Sequence, residues 1–365
     1  MSATSAINDV ADGVARKEHG INDGSGHQCH DHPYTGIDGD AAKRIESLTA
    51  LLSETYGVKD AMLVRALCAL GEGTAHIAVL MTNYVDHTYA GSQNSSGDEQ
   101  LHLDIDCDNA VFASIRQSGV FAIAASEETP VETDVSPSNN SGEGSVFSVG
   151  FDPLDGSSII DANFSVGSIF GIWPGKGVLG RTGREQVASA VSVYGPRTTL
   201  CIALPATTSG SGKPVVFEVT LVKDRTCWEL SRDAIIIQPA GKVFAPGNLR
   251  AANDNAKYGA LIDHWMKERY TLRYSGGMVP DVYHIFAKSK GVFSNVSSEK
   301  AKAKLRLLYE VAPIGLMVEC SQGATTHEAY DMSVLDLEID DLDRRLGVCF
   351  GSSEEVAIYK KFMFE

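Results

Sequence analysis

Residues 151–173 read FDPLDGSSIIDANFSVGSIFGIW. Asp152 and Asp155 stand three apart and are followed by Gly156, Ser157 and Ser158, inside an apolar run patterned like a buried strand. Two carboxylates side by side in a low-dielectric interior repel each other and lose their hydration, so their stable ionised use is to hold a divalent cation. Magnesium or manganese suits such hard oxygen donors, and the carbonyl of Leu154 between them is a further candidate ligand. If the chain turns into a helix or tight loop after Asp155, the N–H groups of Gly156, Ser157 and Ser158 are left free as a nest for phosphate, and Gly156 lets the anion approach the backbone. The competing reading of D-G-S is an Asx-rich turn that caps a helix.

What favours the metal reading is the company these residues keep. Asp98, Glu99, Asp104, Asp106 and Asp108 cluster around a predicted loop exit, Glu127 and Glu128 end the predicted strand GVFAIAASEE, and Glu310 closes the apolar run KLRLLYE. Acids at the ends of separate strands converge on one edge of a sheet.

The whole chain has 365 residues, long for one core, so one two-lobed unit or two packed domains is expected. Asp and Glu number 47 against 31 Lys and Arg, a formal net charge of −16 that excludes nucleic acid or an anionic membrane as the main partner. The seven cysteines (Cys29, Cys68, Cys107, Cys201, Cys227, Cys320 and Cys349) form no C-x-x-C pair, which argues against a disulfide framework and for a reducing compartment. No apolar run reaches the length of a membrane span, and MSATSAINDVADGVARKEHG lacks the apolar stretch of a signal peptide, so a soluble, cytoplasmic protein is expected. In that setting the sequons at Asn94, Asn163 and Asn295 carry no information.

Residues 1–40 read as a flexible tail. Within it GHQCHDHP offers His27, Cys29, His30 and His32 to a metal, but tight spacing alone does not build a preorganised site, and a flexible polar segment is the plainer reading. Helical spacing of Ile45, Leu48, Leu51 and Leu52 predicts a first amphipathic helix, KDAMLVRALCALGEGTAHIAVLMTN a second, more buried one, and DNAVFASIRQSG a third closed by Gly119. YAGSQNSSGDEQLHLDID reads as a polar loop. Strands then dominate (SVFSVGF, TTLCIAL, VVFEVTLV, CWELSRDAIIIQP), predicting a mixed sheet, and after GKVFAPGNLR a second lobe begins with a helix near AKYGALIDHWMKERY.

Residues 151–175, FDPLDGSSIIDANFSVGSIFGIWPG, resemble the signature of the fructose-1,6-bisphosphatase family. D-P-L-D-G-S-S alone marks a wider superfamily of lithium-sensitive, metal-dependent phosphatases. GDEQLHLDID, ASEET, PGNLRA, LRYSGGMVPDVYHIFAKSKGVFSN and AKAKLRLLYEVAPIGLMVE follow in the family's order, and are similar to the branch that acts on a seven-carbon sugar bisphosphate. The resemblance implies an α/β fold, a layered αβαβα sandwich of the sugar bisphosphatase and inositol phosphatase type. It divides the chain into the tail (1–40), a lobe with the metal-binding carboxylates (41–235) and a lobe with sugar-phosphate-binding residues (236–365). The implied reaction is metal-assisted hydrolysis of the 1-phosphate, with two or three magnesium ions, manganese being possible. Glu127, Asp152, Asp155, Glu310 and the Leu154 carbonyl would bind metal, Asp98 would sit on a mobile loop, and Asp104 and Glu128 would deprotonate the attacking water. Gly156, Ser157 and Ser158 would hold the reacting phosphate, and Arg273, Tyr274 and Lys304 the other phosphate and the sugar. Arg273 would reach in from a neighbouring subunit, which implies a homodimer or homotetramer.

Three choices stay open on the residues alone. Asn248 and Arg250 in PGNLR either cap a turn or contact the anion, for which Arg250 offers a planar fork of donors. Lys304 and Arg306 are either ligands or a solvated face, and Tyr274 and Tyr309 either contact substrate or fill the core. Two departures from the family pattern bear on substrate and control. Asn295 stands near the place of a tyrosine usual in fructose bisphosphatases, which weakens the six-carbon reading. His87 and Ser92 fall where plastid members carry redox-active cysteines, which speaks against a dithiol switch there. A six-carbon bisphosphatase and a catalytically silent sugar-phosphate sensor are the alternatives; the complete acid set argues against the second.

Overall fold

The structure is a computed structural model describing residues 40–85, 89–93, 99–137 and 146–365. The tail with His27, Cys29, His30 and His32, and also His87 and Asp98, lie outside the described residues. The described residues form one compact unit. In chain order it begins with helices α1 (Ala41–Ala50) and α2 (Ala61–Asn83), the short strands β1 (Tyr89–Gln93) and β2 (Glu99–Leu101), and helix α3 (His102–Ser118). The strands β3 (Phe121–Ser126), β4 (Thr133–Asp134), β5 (Phe147–Asp155), β6 (Val166–Pro174), β7 (Ala188–Tyr194), β8 (Thr198–Leu204), β9 (Val215–Val222) and β10 (Cys227–Arg232) follow. They make one sheet in the order β10-β9-β8-β7-β6-β5-β3-β4, antiparallel except where β3 runs parallel to β5. The remainder comprises β11 (Val243–Gly247), α4 (Ala256–Lys267), β12 (Thr271–Leu272), α5 (Met278–Lys288), β13 (Val292–Asn295), β14 (Leu305–Arg306), α6 (Ala312–Cys320), β15 (Ala324–His327), β16 (Arg345–Leu346), β17 (Val348–Gly351) and α7 (Ser353–Phe364). Five of these strands form a second sheet, β12-β11-β13-β17-β15.

Period-two alternation in fully apolar strands explains the layering. Along β5 and β6, Phe147, Val149, Phe151, Val166, Phe170 and Ile172 face α1–α3, whereas Ile169 and Trp173 face a second core shared with α5, α6 and the smaller sheet. On the far side of that sheet, Phe244, Val292 and Cys349 pack against α4 and α7. Helices, sheet, helices, sheet, helices: this is the αβαβα sandwich expected above. By length and composition α2 could cross a membrane, contrary to the reading that no run is long enough; it is instead a core helix, with 78% of its most apolar stretch buried inside the protein.

The third helix starts six residues earlier than its apolar spacing predicts. Asp104 anchors this end, its carboxylate accepting the Leu101 N–H at 2.9 Å, so Asp104 and Asp108 are buried helix residues rather than groups at a loop exit. Asp106 is exposed.

Gly150 admits a close approach between β5 and the turn that carries Glu310. A Cβ there would lie 2.6 Å from Leu308, in the wide helical turn Leu307–Val311 that carries Glu310. We therefore expect Gly150→Ala to destabilise the fold by about 1–3 kcal/mol through overpacking, measured by denaturant unfolding, and to raise the metal concentration needed for activity. A variant of wild-type stability would show that Leu308 moves aside freely.

Candidate functional site

Residues three apart on a regular strand point to opposite faces. Asp152 and Asp155 do not, because β5 carries a bulge: Asp152 lies opposite Ile169 and Asp155 opposite Gly167, three steps on one strand against two on the other. Pro153, which has no N–H to give to a ladder, fits inside such a bulge. The Leu154 N–H turns back to Asp152 Oδ1 at 2.9 Å, and the Ser168 hydroxyl donates to the Pro153 carbonyl at 2.7 Å. Glu310 arrives from the facing turn, so that one carboxylate oxygen each of Asp152, Asp155 and Glu310 lies within 4.8 Å of the others. All three residues are buried.

Each acid is held by backbone. Asp155 accepts the N–H groups of Met278 at 3.3 Å and Val279 at 2.6 Å, which places it on the amino end of α5, where free N–H groups and the helix dipole favour negative charge. Glu310 accepts the Arg306 N–H at 2.6 Å. Glu127, just after β3, pairs with the Arg306 guanidinium at 2.5 Å.

Electrostatically the cluster is short of positive charge. Three of the acids, Glu127, Asp152 and Glu310, act on the buried Arg306, whose Nε is shared with Asp343 at 3.0 Å. Burial, then the neighbouring carboxylates, raises Asp152 far above the usual carboxylate range. Burial likewise raises Asp155, while the bond from Val279 pulls it back. Glu310 is raised by burial and then by Glu127, with Arg306 opposing. Hard oxygen donors with unbalanced buried charge fit a divalent cation.

The other expected residues surround this centre. Asp104 is buried with one oxygen lacking a partner, and burial raises its pKa to about 6. Glu128 is half-buried in the turn after β3, where its N–H donates to Ser126 Oγ at 3.2 Å. Gly156 is left-handed (φ 91°) and opens a 3-10 turn, Ser157–Ala162, with Ser157 half-buried and Ser158 exposed. Asn248 donates its amide to the carbonyls of Val296 and Ala301 at 2.8 and 3.0 Å, stapling the loop that leads to Lys304. Arg250, Arg273 and Lys304 are exposed. Tyr274 is half-exposed, and both Arg250 and Asp155 act on its hydroxyl. Asn295 ends β13 opposite Gly247.

Sequence reasoning left Arg306 as a solvated or ligand cation; the structure buries it against Glu127 and Asp343. Its place between Leu305 and Leu307, four residues before Glu310, was the available signal. Tyr309 is a core residue, fully buried. Asp281, which accepts the N–H groups of Ser275 at 2.6 Å and Gly276 at 3.2 Å and so orders the segment after Arg273 and Tyr274, was not anticipated.

Residues 63–212 match the family described as Fructose-1-6-bisphosphatase, N-terminal domain, and residues 237–364 its C-terminal domain. The chain is 44% identical over 307 residues to the chloroplastic sedoheptulose-1,7-bisphosphatase of Spinacia oleracea, covering 84% of this chain and 75% of that protein. It is 34% identical over 302 residues to the class 1 fructose-1,6-bisphosphatase of Trichlorobacter lovleyi, covering 82% of this chain and 90% of that protein. A 1.85 Å crystal structure from Toxoplasma gondii, provisionally named a sedoheptulose-1,7 bisphosphatase, superposes with a TM-score of 0.77 at 37% identity over 87% of this chain and 98% of that one.

The raised carboxylates make a pH prediction whose sign is opposite to that of ordinary ion-paired acids. In the metal-free fold these groups hold protons that the unfolded chain has released, between the ordinary 3.8 and about 7 for Asp155. Stability therefore falls as pH rises through that window. Calorimetry in chelator should show Tm decreasing from about pH 5 to about pH 8, with added magnesium raising Tm most at the alkaline end. A chelated protein whose Tm climbs over that range would contradict the site's electrostatics.

Proposed function

The chain belongs to the fructose-1,6-bisphosphatase family, and we propose that it hydrolyses the 1-phosphate of sedoheptulose 1,7-bisphosphate, giving sedoheptulose 7-phosphate and phosphate. The observation that carries this reading is the β5 bulge, which turns Asp152 and Asp155 onto the face where Glu310 arrives. Glu127, Asp152, Asp155, Glu310 and the Leu154 carbonyl would hold two or three magnesium ions, with manganese as a substitute, and bound metal supplies the Lewis acidity and charge neutralisation that phosphate ester hydrolysis needs.

The protein's own groups divide the remaining work. The N–H and hydroxyl groups of Gly156, Ser157 and Ser158 hold the reacting phosphate at the mouth of the 3-10 turn. Water attacks phosphorus as the bond to the sugar oxygen breaks, its proton passes to Asp104 or Glu128, and the departing sugar oxygen takes up a proton from solvent. With its pKa raised to about 6, Asp104 is suited to accept a proton near neutrality. Asn248, Arg250, Arg273, Tyr274 and Lys304 hold the 7-phosphate and the sugar, so the lobe 236–365 supplies the handle together with Glu310, and the lobe 41–235 the other acids. The exposed Arg273 guanidinium suits donation to a neighbouring subunit's site, and we read the active form as a homodimer or homotetramer. Six free thiols among the described residues support a reducing compartment, which we read as the cytoplasm.

Substrate length is the finer choice. Asn295 in place of a bulky phenol leaves room at the far phosphate, and the exposed Arg250 has the reach for a longer chain. Fructose 1,6-bisphosphate is the second reading, favoured by the likeness to the Trichlorobacter enzyme. One extra carbon unit is worth about 1–3 kcal/mol, so kcat/KM should favour the seven-carbon ester by roughly 10 to 200-fold. Phosphate release from both esters, with and without magnesium, checks this; equal values, or a preference for the fructose ester, would reverse the assignment. Glu128→Gln should lower kcat by on the order of 100-fold with KM little changed, and a full-rate variant would remove Glu128 from the proton path.

A further inference from the structure

Asp108 takes no part in the steps above, yet it is buried on α3 one helical turn after Asp104, and residues four apart share a face of a helix. From there it reaches the turn after β3, where Glu128 stands. We propose that Asp108 is a positioning residue, whose carboxylate clamps the turn Ser126–Thr129 and so fixes Glu128 relative to Asp104. The catalytic part of this inference rests on the proton path proposed above; the clamp itself does not.

Two hydroxyls of the turn converge on Asp108. The Thr129 hydroxyl donates to Asp108 Oδ2 at 3.3 Å, and the Ser126 hydroxyl also donates to the carboxylate. Ser126 Oγ in turn accepts the Glu128 N–H at 3.2 Å. A serine hydroxyl has one proton to give and lone pairs to receive with, so spending the proton on Asp108 leaves the lone pairs for Glu128. Between the two hydroxyls the main chain closes on itself, the Ser126 N–H donating to the Thr129 carbonyl and the Thr129 N–H to the Ser126 carbonyl, both at 3.2 Å.

Glu127 has a different anchor. Its N–H donates to the Phe151 carbonyl at 3.0 Å, on β5 beside Asp152. The turn is therefore tied on two sides with separate duties: β5 steadies the acid assigned to metal, and α3 steadies the acid assigned to the proton.

Packing alone does not account for a carboxylate at position 108. Its second oxygen, Oδ1, is buried with no partner, and a buried polar atom without a partner is costly, so an apolar side chain would fill the space with less loss. What the carboxylate supplies is an acceptor for two hydroxyls at one point. Because Asp104 and Asp108 stand on one helix, the clamp also sets the separation of the two candidate proton acceptors, and a general base works only within hydrogen-bond reach of the proton it takes.

Kinetics on sedoheptulose 1,7-bisphosphate and amide hydrogen exchange, both on the full chain, test the two parts. Asp108→Ala should lower kcat by on the order of 10 to 100-fold, with KM and the magnesium concentration for half-maximal activity little changed, because Glu127 keeps its anchor on β5. Asp108→Asn, whose amide oxygen can still accept the hydroxyls, should recover much of that loss. In a Glu128→Gln background Asp108→Ala should cost little more, since both act on one step. Exchange over residues 126–129, followed by mass spectrometry, should quicken about tenfold or more in Asp108→Ala while β5 exchanges as in the wild type. If Asp108→Ala does not fold, Ser126→Ala cuts the same link at the hydroxyl and carries both comparisons. Wild-type kcat, or a loss that multiplies with that of Glu128→Gln, would overturn the positioning role, and unchanged exchange over 126–129 would overturn the clamp. If neither sugar bisphosphate is hydrolysed, the functional reading fails while exchange still decides the clamp.

Discussion

Mutual repulsion among buried carboxylates is the constraint around which this protein is arranged. Nothing in apolar packing would gather Glu127, Asp152, Asp155 and Glu310 beside one another, and burial alone pushes Asp152, Asp155 and Glu310 toward the protonated state. The fold overcomes this with backbone geometry. A bulge orients two of the acids, the amino end of α5 steadies Asp155, the turn before α6 presents Glu310, and one buried arginine offsets part of the charge. The larger sheet, the amino end of α5 and the turn before α6 all contribute, so the site exists only when these elements are assembled.

Much of this was legible in the chain, and for a physical reason. Alternation in β5 to β9 and helical spacing in α1 and α2 report local burial, which sequence records directly. The run from Asp152 to Ser158 advertises its chemistry because buried carboxylates next to glycine and serine have few structural uses. What stayed hidden depends on partners distant in sequence. The start of α3 is set by a bond from Asp104 back to Leu101 in a stretch whose composition looks like a loop. Arg306 reads as a surface cation until the strand end bearing Glu127 is brought against it. The hydrogen bonds between Tyr194 and Ser168 and from Ser168 to the Pro153 carbonyl join residues from three strands, none of which is unusual alone.

The two halves of the site differ in rigidity. The acids lie in strands and turns with little exposed surface, whereas Arg250, Arg273 and Lys304 are exposed to solvent. Hydrolysis needs fixed geometry at phosphorus, while the far phosphate needs only a reachable anchor. A family that keeps the first and varies the second can move between six- and seven-carbon sugars without disturbing its chemistry.

The bulge has one more consequence, for the kinds of change that lineages of this protein can accept. Because side chains on a strand alternate, the stretch between Asp152 and Asp155 acts as a parity counter: gaining or losing a single residue there would send the second carboxylate toward the apolar layer under α1–α3. Substitutions at Pro153 or Leu154 can drift, but indels of odd length cannot. The spacing of these two aspartates should therefore be less tolerant of change than the identity of the residues between them.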